Sequence, residues 1–252
     1  MRILVVNPNT TASMTQTIAH AALQVAGRDT EISALTSPMG PVSIEGYYDE
    51  AFAVPGLLME IAKGQKAGAD AVVIACFDDT GLDAARAFAD IPVVGICESA
   101  VKMASFIARR FTIVTTMERS RIPIEELVKR YGVADSARVR AADISVLSLE
   151  DPQSNARDRL RSEIDAATRE DRAEAIILGC AGMADLAHDL TREFGLPVID
   201  GVSAAVKQAE ALVGLGLSTA KRGPYATPVA KKYIGQLEAF APQTLNSEVS
   251  TR

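Results

Sequence analysis

"AEAIILGCAGMADL" (residues 173–186) repeats the plan of "ADAVVIACFDDTGL" (residues 69–82). Each stretch opens small–acidic–small, passes through three large aliphatic residues and one small residue, and reaches a cysteine. A polar or glycine-containing helix opening follows. The aliphatic runs do not alternate with polar residues. They read as strands buried on both faces, as in a parallel sheet covered by helices.

The flanks repeat as well. After Cys76 a helical stretch leads to "IPVVGI" (91–96), and after Cys180 another leads to "LPVIDG" (196–201). "RILVVNPNTT" (2–11) opens the first half and "RFTIVTTMERS" (110–120) the second. Patterning predicts strands over 3–6, 31–35, 71–75, 93–95, 111–115, 139–142, 175–178 and 198–199. It predicts helices over 12–26, 48–67, 82–88, 99–109, 121–131, 155–169, 183–194 and 203–215. Strand–helix alternation gives an α/β fold of two pseudo-symmetric Rossmann-like lobes with parallel sheets and a cleft between them. The expected lobes are 1–97 and 98–206, with part of 207–240 joining the first and a disordered tail over 241–252. No Pro, Gly or Ser-rich linker divides them, so tight packing is expected.

Composition narrows the function. The 252 residues are 48% hydrophobic and carry a net charge of −6, with 5% aromatics and no Trp. Neither a basic stripe nor a base-stacking platform is present, which argues against nucleic acid as a partner. The apolar run at 3–6 is too short for a signal segment or a membrane span, so a cytoplasmic location is expected. In that reducing compartment three widely spaced cysteines are not a disulfide framework. They lack CxxC spacing, and His20 and His188 sit in helical stretches, so no metal site is expected.

Cys76 and Cys180 each follow a buried strand and precede a helix. In open α/β sheets that is where ligands bind. A thiol there is expected near the positive end of a helix dipole and near free N–H groups, both of which favour the thiolate. Two lobes facing each other would set one sulfur on each side of a small molecule. One thiolate then removes a proton α to a carbonyl and the opposite thiol returns one to the other face. No cofactor is needed if the substrate's carbonyls take the charge. Cys97 has no counterpart in the second half and reads as a small core residue.

Several motifs together resemble the aspartate/glutamate racemase superfamily, specifically its hydantoin/allantoin racemase branch. They are "NPNTT" (7–11), "GPVSIEGYYDEA" (40–51), "ACFDDTGLDAAR" (75–86), "PVVGICESA" (92–100), "ARRFTIVTT" (108–116), "LGCAGMADL" (178–186), "LPVIDGVSAAV" (196–206) and "STAKRGPYATP" (218–228). The resemblance implies cofactor-independent racemisation at C5 of 5-substituted hydantoins by Cys76 and Cys180, in a homo-oligomer. It implies substrate-binding positions at Asn9, Ser43, Ile44, Phe77, Asp78, Asp79, Thr115, Thr116, Ala181 and Gly182. The amino-acid racemases look like "CNT" and "CTH" after their cysteines, where this chain has "CFDD" and "CAGM". Ala181 and Gly182 offer backbone N–H groups and room, which suits an uncharged cyclic diamide.

Each position also has a plain structural reading. Asn9 is expected to turn the chain and cap the first helix. Asp78 or Asp79 is expected to cap the helix that follows, and Thr115 and Thr116 to be strand-end hydroxyls. The alternatives are an allantoin racemase, a relative with decarboxylase or cis–trans isomerase chemistry, and a non-enzymatic two-lobe sensor of a small molecule.

Overall fold

The computed structural model describes residues 1–151 and 153–242. The tail expected to be disordered lies outside the described residues from 243 onward. Among the described residues eight strands form two parallel sheets of four. The first is β1 (Arg2–Asn7), β2 (Glu31–Thr36), β3 (Ala71–Ile74) and β4 (Val93–Gly95), in the order β2-β1-β3-β4. The second is β5 (Phe111–Thr115), β6 (Ala137–Ala141), β7 (Ala175–Gly179) and β8 (Val198–Asp200), in the order β6-β5-β7-β8. Identical strand orders make the repeat in the sequence a repeat in space.

The absence of alternation in the strands has its cause in the packing. Ile3, Val5, Val73, Ile113, Ala175 and Ile177 face a central core shared by both sheets. Their neighbours Leu4, Val6, Val72 and Ile74 face an outer core over the first sheet. Val114, Ile176 and Leu178 face the matching outer core over the second. Both faces of each sheet are covered, so apolar residues stand at consecutive positions.

Helices connect the strands: α1 (Ala12–Val25), α2 (Tyr47–Lys66), α3 (Leu82–Phe88) and α4 (Ile96–Ile107) in the first half. The second half has α5 (Arg121–Arg130), α6 (Ala156–Ala166), α7 (Ala187–Phe194) and α8 (Gly201–Gly214). The span expected as one helix from 183 splits into a 3-10 segment (Ala181–Leu186) followed by α7. The helix expected to 169 ends at Ala166 and widens into a π-turn.

Helices α4 and α8 hold the halves together. Helix α4 leaves β4 and packs on β7 and β8; α8 leaves β8 and packs on β3 and β4. The position 97–98 therefore falls inside a continuous helix that touches both sheets. Their starts approach so closely that a Cβ on Gly201 would lie 2.7 Å from the Ile96 carbonyl oxygen. Small residues along both helices, Ala100, Ala104, Ala205 and Ala209, permit that approach and enter the central core. Beyond α8 the chain returns to the first sheet's side. Lys221 Nζ donates to the carbonyls of Arg86 (3.0 Å) and Ala87 (2.8 Å) at the end of α3. No helix among the described residues is long and apolar enough to cross a membrane.

Candidate active site

A pocket opens where the carboxyl ends of the two sheets face each other. Asn9, Ile44, Cys76, Phe77, Asp78, Thr115, Thr116, Cys180 and Ala181 line it, each of them expected from the sequence. Met14, Ala75, Ser120, Val146 and Gly179 line it too. Val146 occupies in the second half the place of Ile44 in the first: an apolar residue in the loop after the strand β6 or β2. The sequence repeat contained that signal. Met14 and Ser120 enter from the first turns of the helical segments after β1 and β5, which carry no distinctive motif.

Three expected residues fall elsewhere. Gly182 lines an adjoining chamber with Met14 and Val146. Ser43 is not among the lining residues; its hydroxyl donates to Glu45 Oε1 at 3.1 Å. Asp79 turns away altogether. Its Oδ1 accepts from the Cys97 N–H (3.0 Å) and its Oδ2 from the Glu98 N–H (2.9 Å), so it caps α4 rather than α3. The backbone reverses there, with Asp79 in the left-handed region at φ 47°.

The strand ends are built for close approach. A Cβ on Gly179 would stand 2.9 Å from Thr115 Cα, so only glycine lets β7 deliver Cys180 beside β5. Thr115 donates to the Gly179 carbonyl at 3.2 Å. Asn9 Oδ1 accepts from the Thr11 N–H (2.9 Å) and from Asn7 Nδ2 (2.9 Å), fixing the β1 loop while Asn9 still faces the pocket. Phe77 is both wall and core, with 3% of its surface exposed.

Cys180 sits at the start of the 3-10 segment Ala181–Leu186, as the helix-dipole argument expects, but Cys76 does not stand at a helix start. Helix α3 starts at Leu82, six residues past Cys76, with Gly81 and tight turns between. Burial raises the Cys76 pKa well above the ordinary range, and the Asp78 carboxylate adds to the rise. The Thr80 hydroxyl, 3.3 Å from Cys76 Sγ, and the Asp78 N–H oppose it. Burial raises Cys180 to about 11, with Asp78 adding and the Gly182 N–H opposing. Desolvation of the anion outweighs the local donors. Asp78 itself is raised to about 7 by burial and by the neighbouring carboxylates Glu50 and Asp79. Cys97 is a fully buried core residue.

The pocket thus receives one cysteine from each of two repeat-related parallel sheets. The chain belongs to the Asp/Glu/Hydantoin racemase family, whose model matches residues 3–209, and it is a racemase. It is 50% identical over 242 residues to a hydantoin racemase of Pseudomonas sp. (strain NS671), covering 95% of this chain and 97% of that protein. It is 51% identical over 236 residues to a hydantoin racemase of Rhizobium meliloti, covering 93% and 98%. The structure of an allantoin racemase from Klebsiella pneumoniae superposes with a TM-score of 0.93 at 48% identity, covering 96% of this chain and 99% of that one.

Proposed function

We propose that this racemase inverts C5 of 5-substituted hydantoins by a two-base mechanism in which Cys76 and Cys180 work from opposite sides. The observation that carries the reading is the pairing: two cysteines at equivalent points of the repeat line one pocket. Relatives of about half-identical sequence named hydantoin racemases support the substrate.

In one direction the Cys76 thiolate takes the C5 proton. The C–H electron pair passes into the ring as an enolate on the adjacent C4 oxygen. The Cys180 thiol then gives its proton to the opposite face of C5. The opposite enantiomer leaves, with Cys76 protonated and Cys180 ionised, and the reverse run serves the other enantiomer. The backbone N–H group of Ala181 and the hydroxyl of Thr116 are the donors for the ring carbonyls and the enolate. The substrate's own carbonyl accepts the charge, so the reading calls for no cofactor or metal. High thiol pKa values match the reaction in one respect: a thiol of high pKa is a strong base once ionised, and a C5–H is a weak acid.

A second reading keeps the chemistry and changes the substituent. Allantoin is a hydantoin with a ureido group at C5, and the likeness to the Klebsiella enzyme favours it. The deciding experiment incubates the purified protein with single-enantiomer 5-benzylhydantoin in deuterated buffer, and separately with single-enantiomer allantoin. Loss of optical rotation with deuterium at C5, faster than without protein, supports the assignment for that substrate. No acceleration with either substrate rules the reading out.

A further inference from the structure

Two side chambers flank the cysteine pocket, and the pseudo-two-fold relates them. One is walled by α1, the loop after β6 and the residues past Cys180: Met14, Gln16, Val146, Leu149, Gly182 and Leu186. The other is walled by α5, the start of α2 and the residue past Cys76: Tyr47, Glu50, Asp78, Glu126, Leu127 and Arg130. Helices α1 and α5 hold the same place in the two halves. Gly182 and Asp78 do too, each standing two residues after its cysteine. Each chamber shares walls with the cysteine pocket, Met14 and Val146 on one side and Asp78 on the other.

The symmetry is broken at that position. Asp78 puts a carboxylate between pocket and chamber, whereas Gly182 puts nothing there. A Cβ on Gly182 would lie 3.8 Å from Cys180 Sγ, 3.6 Å from Met14 Cε and 3.5 Å from Leu149 Cδ1. The opening is therefore a side chain's width from the sulfur. The chamber behind it has a volume of about 480 Å³, against about 200 Å³ behind Asp78. Met14, Val146, Leu149 and Leu186 form an apolar wall beside Gly182, Thr17 is half-buried, and Ser13, Gln16, Arg157 and Asp185 stand exposed at the rim. The opposite chamber has three carboxylates, Glu50, Asp78 and Glu126. Glu50 Oε1 is buried there without a hydrogen-bond partner. An apolar group entering it would strip water from these anions and give nothing back.

From this asymmetry we infer that the C5 substituent of the substrate occupies the chamber beyond Gly182. The chamber then selects apolar substituents of about benzyl size, and Gly182 is the specificity-determining residue that keeps it open. The inference rests on the hydantoin reading. In the planar enolate the substituent lies in the ring plane, between the sulfurs and toward neither. One chamber therefore serves both enantiomers, as a racemase requires.

The test compares kcat/KM for 5-benzylhydantoin and 5-methylhydantoin. The backbone at Gly182 has no positive φ, and an added Cβ meets only ordinary contacts, so Gly182→Val is compatible with the fold. Its extra methyls narrow the opening. The benzyl-to-methyl ratio is expected to fall about tenfold or more in Gly182→Val, and to fall also in Leu149→Phe, which fills the chamber from its other wall. Glu126→Gln, in the opposite chamber, is expected to leave the ratio within about twofold. If Gly182→Val misfolds by circular dichroism, Leu149→Phe decides. A ratio unmoved by the Gly182-side variants, or moved by Glu126→Gln instead, overturns the placement while leaving the hydantoin reading standing. A wild-type protein that racemises neither hydantoin removes both.

Discussion

The Tyr131 hydroxyl, at the end of α5, donates to Asp79 Oδ2 at 2.5 Å. The bond crosses from the second half of the chain to the loop three residues past Cys76. The same carboxylate caps α4 through the N–H groups of Cys97 and Glu98. In the second half the equivalent helix α8 is capped in place, by Asp200 accepting from the Ser203 N–H at 2.7 Å. The first half has Gly95 at that position and supplies the carboxylate from the Cys76 loop. The exchange ties the loop that carries one candidate base to α4 and α5.

Tyr131→Phe removes the hydroxyl donor and leaves the carboxylate buried. Loss of a hydrogen bond to a charged acceptor costs about 1.5–3 kcal/mol. The cost depends on pH. Burial raises Asp79 to about 6, from an ordinary 3.8, and Tyr131 is the largest influence holding it down. A raised carboxyl leaves the fold most stable below the unfolded pKa and takes stability away as pH rises through the folded value. Removing Tyr131 raises it further. The thermal midpoint of Tyr131→Phe is therefore expected to lie farther below wild type at pH 8 than at pH 4. A constant gap between those pH values would show that Asp79 is not the acceptor that matters.

Gly95→Ala tests the cap from its other side. The new Cβ would stand 2.3 Å from Asp79 Oδ1 and 2.4 Å from its Cγ, so the carboxylate must leave and α4 loses its cap. Caps contribute about 0.5–2 kcal/mol. A lower melting temperature is expected, together with a fall in racemase activity because Cys76 shares the loop. Gly214→Ala is the control: a Cβ there meets nothing within 4 Å. Its expected effect is neutral or slightly stabilising. Equal melting temperatures for the two variants would argue that Asp79 yields its place at no cost.

Strands β1, β3 and β7 were legible in the sequence because burial on both faces writes itself as unbroken aliphatic runs, whereas the partly exposed β2 and β6 interleave apolar with polar residues. The cysteine pair was legible because the repeat marks it. Two things were not. Asp79 was expected at the pocket or on α3, but its partners are the N–H groups at 97 and 98 and the hydroxyl at 131, which no local pattern discloses. The thiol environment was expected to favour the anion. Helix starts are readable from sequence, but the burial and the Asp78 charge that overrule them come from packing.

Asp78→Asn isolates that charge. The Asp78 carboxylate raises both Cys76 and Cys180, so an uncharged amide lets both thiols ionise at lower pH. The limb of the pH profile that requires a thiolate is expected to move to lower pH, whatever happens to its height. Alkylation by iodoacetamide, followed at each cysteine by mass spectrometry, should show the same shift at both positions. Movement toward higher pH would mean that Asp78 acts on the thiols as a hydrogen-bond partner rather than as a charge.

Single Cys76→Ser and Cys180→Ser proteins separate the two bases. A serine hydroxyl has a pKa too far above neutrality to remove a C5 proton, yet it keeps the size of the thiol. Each variant retains one pocket thiol, and that thiolate still reaches the proton on its own side. Neither variant is expected to racemise, with rates at least about a hundredfold below wild type. Each is expected to exchange the C5 proton of one enantiomer for deuterium, and the two variants should prefer opposite enantiomers. Exchange without inversion arises because the remaining cysteine returns a solvent-derived proton to the face it came from. If both variants exchange the same enantiomer, the sulfurs do not stand on opposite faces of C5. If either one racemises at the wild-type rate, one base suffices and the symmetry of the fold has no counterpart in the chemistry.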